Sequence, residues 1–222
     1  DWYRQNGDLA YLREQKEYLL GLIHQLHQFI DKDGRNTIPN PFLDWPSSPN
    51  KAAVKAGVHA LFTMAMDKAA LMFNALGEEE AQRHCEAAAA KLRTYKPDHG
   101  NNKQAAGLMV LAGLLDAKTA EQDVIGKDGA HGLSTFLGYY TLQALAQAGK
   151  IEKSLDIIRE YWGGMLALGA TTFWEHFDLK WMENASRIDE LTPPGKKDVH
   201  GENGDYCYVG YRHSLCHGWA SG

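Results

Sequence analysis

Cysteine is scarce in this chain, with three residues, Cys85, Cys207 and Cys216, among 222. Three are too few for a disulfide framework. A Cys207–Cys216 bridge is open but nothing in the spacing demands it, and Cys85, among alanines, reads as a small buried hydrophobe. Basic blocks are missing too. The formal net charge is −5 and no Lys/Arg stripe runs along the chain, which argues against nucleic acid as a partner. Apolar runs are broken by His, Gln, Asp or Lys well short of the roughly 18 residues a membrane span needs. No signal-peptide pattern, glycine-rich phosphate loop or nucleotide fingerprint is present. The chain opens "DWYRQNGD" without methionine and is read as a processed product or fragment, so its compartment stays open. Strand-like alternation is nearly absent, with "YCYVGY" (206–211) the best candidate for one short strand.

What is present is helical periodicity. In "EYLLGLIHQLHQFI", Leu19, Leu22, Ile23, Leu26 and Phe29 or Ile30 recur at spacings of three and four, the stripe of an amphipathic helix. Asp31 to Gly34 supplies turn chemistry at its end. The pattern returns from about Lys51 to Leu76, where Gly77 is a stop signal. "EEEAQRHCEAAAAKL" then starts a helix with acids in its first turn, where the dipole favours them. Further helices are predicted over about 103–115, 132–148 and 151–168. The links "LGE" and "QAGK" are short enough to join antiparallel neighbours. The fold class is therefore all-α, a single domain over 1–222, built of paired helices. A barrel or toroid of hairpins fits this pattern, and a plain bundle or solenoid fits nearly as well. No fixed repeat period is found.

Three long loops hold the residues with chemistry: 35–50, 124–132 and everything from Gly169 onward. Loops on a rigid scaffold are where function gathers. They carry Trp45, Trp174, Trp181 and Trp219 beside acids and histidines. Indole faces stack on sugar rings while carboxylates bond sugar hydroxyls; such tryptophans also serve simply to pin loops to a core. "GATTFWEHFD" (169–178) sets Glu175 against an aromatic wall that can orient a carboxylate or perturb it, and "FLDWP" sets Asp44 beside Trp45. Paired carboxylates of this kind are what glycoside hydrolysis requires. A zinc site from His200, Cys207, His213, Cys216 and His217 is a weaker option, because no compact ligand spacing appears. A Cys216–His217 dyad is weaker still, since adjacent residues point apart. His131 reads as a helix-start hydrogen bonder, with sugar contact as the alternative.

The strings "GATTFWE" and "SLCHGWASG", with "DWYRQNGDLAYLREQKEYL", "FLDWP" and "GLSTFLGYYTLQALAQAGKIEKSLDIIREYWGGML", resemble the glycoside hydrolase family 78 α-L-rhamnosidases over most of the chain. The resemblance implies an (α/α)6 barrel that removes terminal α-L-rhamnose with inversion from a rhamnose-containing glycoside. It makes Glu175 the general base and puts His217, Trp45 and Asp44 in the sugar pocket, with Trp174 beside them. Thr171 and Thr172 would hold the base by hydrogen bonds and Trp174 by packing. In an inverting enzyme the base activates a water across from an acid roughly 6.5–9.5 Å away. Two carboxylates and a water suffice, so no metal or cofactor is expected.

One departure qualifies the resemblance. The family's general acid sits in an Asp-Glu-Arg string that these residues lack. Six or seven helices are legible where such a barrel has twelve. The expectation is therefore an incomplete barrel, its amino-terminal part and its acid lying upstream, and little activity from the chain alone. The segment from Met182 to Tyr206 is read as a loop covering the pocket, or as plain surface. Another helical-toroid glycosidase is the nearest alternative, and a non-catalytic sugar-binding helical domain the one from a different class.

Overall fold

The computed structural model describes residues 2–198 and 216–218. It is all-α. Nine α-helices form among the described residues: α1 (Trp2–Asn6), α2 (Leu9–Glu14), α3 (Lys16–His27), α4 (Lys51–Leu76), α5 (Glu79–Leu92), α6 (Lys103–Leu111), α7 (Ala117–Ala120), α8 (Gly138–Gln147) and α9 (Ile151–Ala167). A π-turn (Glu121–Ile125) continues α7 and a 3₁₀ turn (Leu179–Met182) follows α9. Only two isolated bridges, Ile30 with Asn36 and Ala185 with Lys197, represent β structure there. No helix among the described residues is long and apolar enough to cross a membrane.

Each long helix has a physical start and stop. Asn50 caps α4 by accepting a hydrogen bond from the Ala53 amide at 3.1 Å, and Gly77 ends it in the left-handed region at φ 76°, as a glycine after a helix does. Asn102 caps α6 through the Ala105 amide at 2.9 Å. The α4–α5 pair, folded back at Gly77, buries Ala69, Ala70, Phe73 and Cys85 in one cluster and Phe62, Met66, Ala88, Ala89 and Leu92 in the next. Burial pushes the Cys85 thiol up to about 11. α6 packs on both α4 and α8, and α8 folds back on α9. At the α9 end, Ile157, Tyr161 and Met165 join Trp174 and Phe177 in a separate core.

Several sequence-based boundaries shift. The helix expected over 132–148 begins only at Gly138. The Ser134 hydroxyl accepts from the Leu137 amide at 3.2 Å, holding 133–137 as a buried turn, so His131 does not open a helix; it is exposed, and its amide donates to the Asp128 carbonyl at 3.0 Å. The helix expected over 103–115 stops at Leu111, with Gly113 following at φ 71°. Helix α7 was missed, although Asp116 caps it through the Thr119 amide at 2.8 Å. The short α1, α2 and α7 carry the count above six or seven. The "YCYVGY" segment lies outside the described residues.

Candidate active site

Two helix glycines seat the loops that build a cleft. Leu43 is buried against Gly57 of α4, where an added Cβ would stand 2.4 Å from Leu43 Cδ2. With Leu43 held, the next two residues are fixed. Asp44 is 5% exposed; its Oδ1 accepts from the Ser47 amide at 2.9 Å, while its buried Oδ2 has no hydrogen-bond partner among the described residues. Trp45 keeps 46% of its surface exposed and meets Phe42 edge-on at 4.9 Å. On the other side Phe177 seats against Gly164 of α9, where a Cβ would meet its ring at 3.1 Å. Trp174 is fully buried and packs edge-on against Phe177 at 5.7 Å.

A buried tyrosine ties the walls together. The Tyr161 hydroxyl of α9 donates to the Phe177 carbonyl at 2.6 Å. Its one proton is spent there, so Thr135, at 2.9 Å, donates to the tyrosine oxygen in turn. Desolvation pushes the Tyr161 phenol strongly upward, which keeps it a neutral donor. The 133–137 turn, α9 and the 169–178 loop are thereby one connected unit.

Asp44, Trp45, Ser134, Phe136, Glu175 and His176 line the resulting cleft; about 310 Å³ of space lies there with its open mouth included, of which only about 20 Å³, room for about one water, is enclosed. The Glu175 side chain is 11% exposed, and its Oε2 lies 4.0 Å from His217 Nδ1. The 216–218 segment is held there by the His217 amide, which donates to the Phe173 carbonyl at 2.8 Å. Four residues expected from the sequence, Asp44, Trp45, Glu175 and His217, thus gather at one place. The fifth, Trp174, offers no ring face to a ligand and anchors the loop instead. Thr171 and Thr172 are exposed. Ser134, Phe136 and His176 line the cleft without a sequence signal for it, the first two because the helical pattern predicted over 132–148 covers them. His176 packs edge-on against Trp181 at 5.0 Å. Burial pulls its pKa down despite the nearby Asp178, Asp44 and Glu175 carboxylates.

The other expectations fall elsewhere. The 124–132 loop is clamped to α6 and α9: Lys103 Nζ donates to the Lys127 and Gly129 carbonyls at 2.6 and 2.7 Å, and Glu160 accepts from the Ala130 amide at 2.9 Å. Residues 182–198, the described part of the expected covering loop, close on themselves through Ser186 and Lys197 and dock on the end of α9. There Arg187 donates to the Ala167 carbonyl at 3.2 Å. None of them lines the cleft. Of the possible zinc ligands, His200, Cys207 and His213 lie outside the described residues, as does one half of a Cys207–Cys216 bridge. Among the described residues no group of three His, Cys, Asp or Glu is arranged to hold a metal.

Chemically the cleft offers a nearly enclosed carboxylate beside an imidazole, a second buried carboxylate oxygen with acceptor capacity to spare, and an exposed indole. This set suits a hydroxylated ligand with an apolar face. Neither the protein-family models nor the curated proteins contain a match to this chain.

Proposed function

We propose that the chain is the carboxy-terminal part of an (α/α)6-barrel catalytic domain that hydrolyses terminal α-L-rhamnosides with inversion, Glu175 acting as general base. The observation that carries the reading is the convergence of Glu175 and His217 at 4.0 Å beside a cleft lined by Asp44 and Trp45. These residues lie about 170 positions apart at the extremes and come from the strings that resemble the rhamnosidases. The succession of helical hairpins around α4, α6, α8 and α9 also supports it.

In this reading Glu175 accepts a proton from the attacking water, and the His217 imidazole beside it orients the carboxylate or a sugar hydroxyl. Trp45 stacks on the apolar face of the sugar. Asp44 accepts a hydroxyl proton at Oδ2, the oxygen that folding leaves unbonded, so the ligand satisfies a buried acceptor whose isolation is otherwise costly. The acid that protonates the leaving oxygen comes from upstream sequence. Neither carboxylate role needs a metal or cofactor.

The test is hydrolysis of 4-nitrophenyl α-L-rhamnoside by a polypeptide extended upstream, with and without Glu175→Gln. Turnover that falls at least about a hundredfold in the variant is expected, the low end for a positioned acid–base group. Equal turnover in both would leave Glu175 a structural role, and no turnover in either would refute the substrate.

A further inference from the structure

A second cleft lies over the first half of α4 and shares no lining residue with the Glu175 cleft. Its walls include Arg35, Asn36, Lys55, His59 and Tyr95, and it holds about 850 Å³ of space, open mouth included. That is well over twice the space around Glu175 by the same measure, and the charge is of opposite sign.

The wall formed by 30–38 is rigidly built. Asp31 Oδ1 accepts from the Asp33 and Arg35 amides at 2.9 and 2.8 Å. Thr37 returns both its amide and its hydroxyl to the Phe29 carbonyl, at 2.8 and 3.0 Å. Asn36 Oδ1 accepts from the Ile38 amide at 2.8 Å. The Arg35 guanidinium lies over the Tyr95 ring, 5.3 Å from its centroid, a stacked position from which its remaining donors stay available. Neither Arg35 nor Lys55 forms an ion pair among the described residues, although both are exposed. Asp31 is the carboxylate whose charge Arg35 feels; the two amide bonds to its Oδ1 keep it ionised, so it partly offsets Arg35 without forming an ion pair with it.

The floor holds an unsatisfied acceptor. His59 is 1% exposed, and its Nε2 lies 3.0 Å from the Leu92 carbonyl. A carbonyl only accepts, so Nε2 carries the proton and Nδ1 presents a lone pair. That Nδ1 is buried and forms no hydrogen bond, although the Tyr95 carbonyl also lies near the ring. Two unpaired cations on the rim and a bare acceptor in the floor call for a ligand with an anionic group at one end and a hydroxyl donor at the other. We infer that this cleft binds a small polyhydroxylated anion, a sugar carboxylate or sugar phosphate, with Arg35 and Lys55 holding the anion and His59 accepting from a hydroxyl. The site stands independently of the role proposed for Glu175.

The test is titration of the chain, followed by calorimetry and by amide shifts, with D-galacturonate, D-glucose 6-phosphate, inorganic phosphate and neutral D-galactose. At least one charged sugar is expected to bind in the millimolar range or tighter and to shift amides at 35–38 and around Tyr95. Arg35→Gln and Lys55→Gln should each weaken that binding about tenfold, as loss of a charge-assisted hydrogen bond does, while Glu175→Gln leaves it unchanged. Both altered side chains are exposed, so an unchanged far-UV spectrum checks that the variants fold. Preference for one charged sugar identifies the anion as carboxylate or phosphate. Absence of binding by either charged sugar up to ~10 mM, an affinity too weak for a specific site, overturns the proposal. So does equal binding of galactose, binding of inorganic phosphate as tight as that of glucose 6-phosphate, or indifference to both substitutions.

Discussion

Along α4 and α5 the buried residues are mostly small: Ala53, Ala56, Ala60, Ala69 and Ala70 on one helix, Cys85, Ala88 and Ala89 on the other, with Phe62, Met66, Phe73 and Leu92 set among them. Around Glu175 the largest buried side chains are Tyr161, Trp174 and Phe177, and long-range hydrogen bonds through Tyr161 join loops that have no helix of their own. The first region is held by surfaces of low relief repeated every turn, so many contacts share the load. The second is held by a few large side chains, each seated in one place, and its stability is correspondingly concentrated. A candidate site built the second way gains fixed geometry and becomes sensitive to single changes.

The largest expected effects test that contrast directly. Trp174→Ala removes a fully buried indole, and Phe73→Ala a fully buried ring in the helical pair. Each should cost about 3–5 kcal/mol by chemical denaturation. The comparison lies in where the loss is felt. Phe73→Ala should lower protection against hydrogen exchange along α4 and α5 while the 169–178 amides stay as they were. Trp174→Ala should release 169–178 and the His217 contact and leave α4 and α5 protected. Equal loss of protection in both regions after either substitution would show that they do not open separately.

The same contrast decides what the sequence made legible. The α4–α5 pair could be read almost to the residue, because periodicity, the acids of Glu79 and Glu80, and Gly77 are local signals that agree with one another. Asp44, Trp45 and Glu175 could be singled out from the sequence as acids beside tryptophans in loops; His217 joined them in one site only through the resemblance. Trp45 and Trp174 looked alike in sequence, each beside a carboxylate in a loop, yet one is half exposed and the other fully buried. What separates them is what each helix glycine seats: Gly57 admits Leu43 and leaves Trp45 outside, whereas Gly164 admits Phe177, whose ring meets Trp174, contacts between distant residues that no local pattern announces. The missed α7 is different. Asp116 was a readable cap, but a four-residue helix followed by a π-turn is too short to show a period.

A smaller effect isolates the hydrogen bonds from the packing. Tyr161→Phe keeps the ring that meets Phe177 at 5.3 Å and removes the hydroxyl that serves both Thr135 and the Phe177 carbonyl. Leaving those buried groups unsatisfied should cost about 1–3 kcal/mol. It should also uncouple the 133–137 turn from 169–178, raising amide exchange in both without changing helix content. A cost near zero would mean that packing alone fixes the cleft walls.

The smallest effect arises in both regions at once, because each buries a histidine. Burial lowers the pKa of His59 beside α5 and of His176 in the cleft, in spite of the Leu92 and Tyr95 carbonyls near the first and the Asp178, Asp44 and Glu175 carboxylates near the second. With the folded pKa below the ordinary value near 6.5, the unfolded chain binds more protons than the native state in the interval between the two. Stability is therefore full above about pH 6.5 and falls as pH drops toward the folded values, by no more than about 1.4 kcal/mol per pH unit for each histidine. Thermal unfolding from pH 7.5 to 5 should show this decline, and His176→Gln and His59→Gln should each remove part of it. The two parts should differ in location. The His176 share should vanish together with acid-induced exchange in 169–178, and the His59 share with exchange where α5 meets α4. A decline untouched by either substitution would refute the histidine assignment, because the carboxylates that native hydrogen bonds hold below their usual range, Asp31, Asp116 and Asp189, are ionised in both states across this window and lose their contribution only as pH falls below about 4.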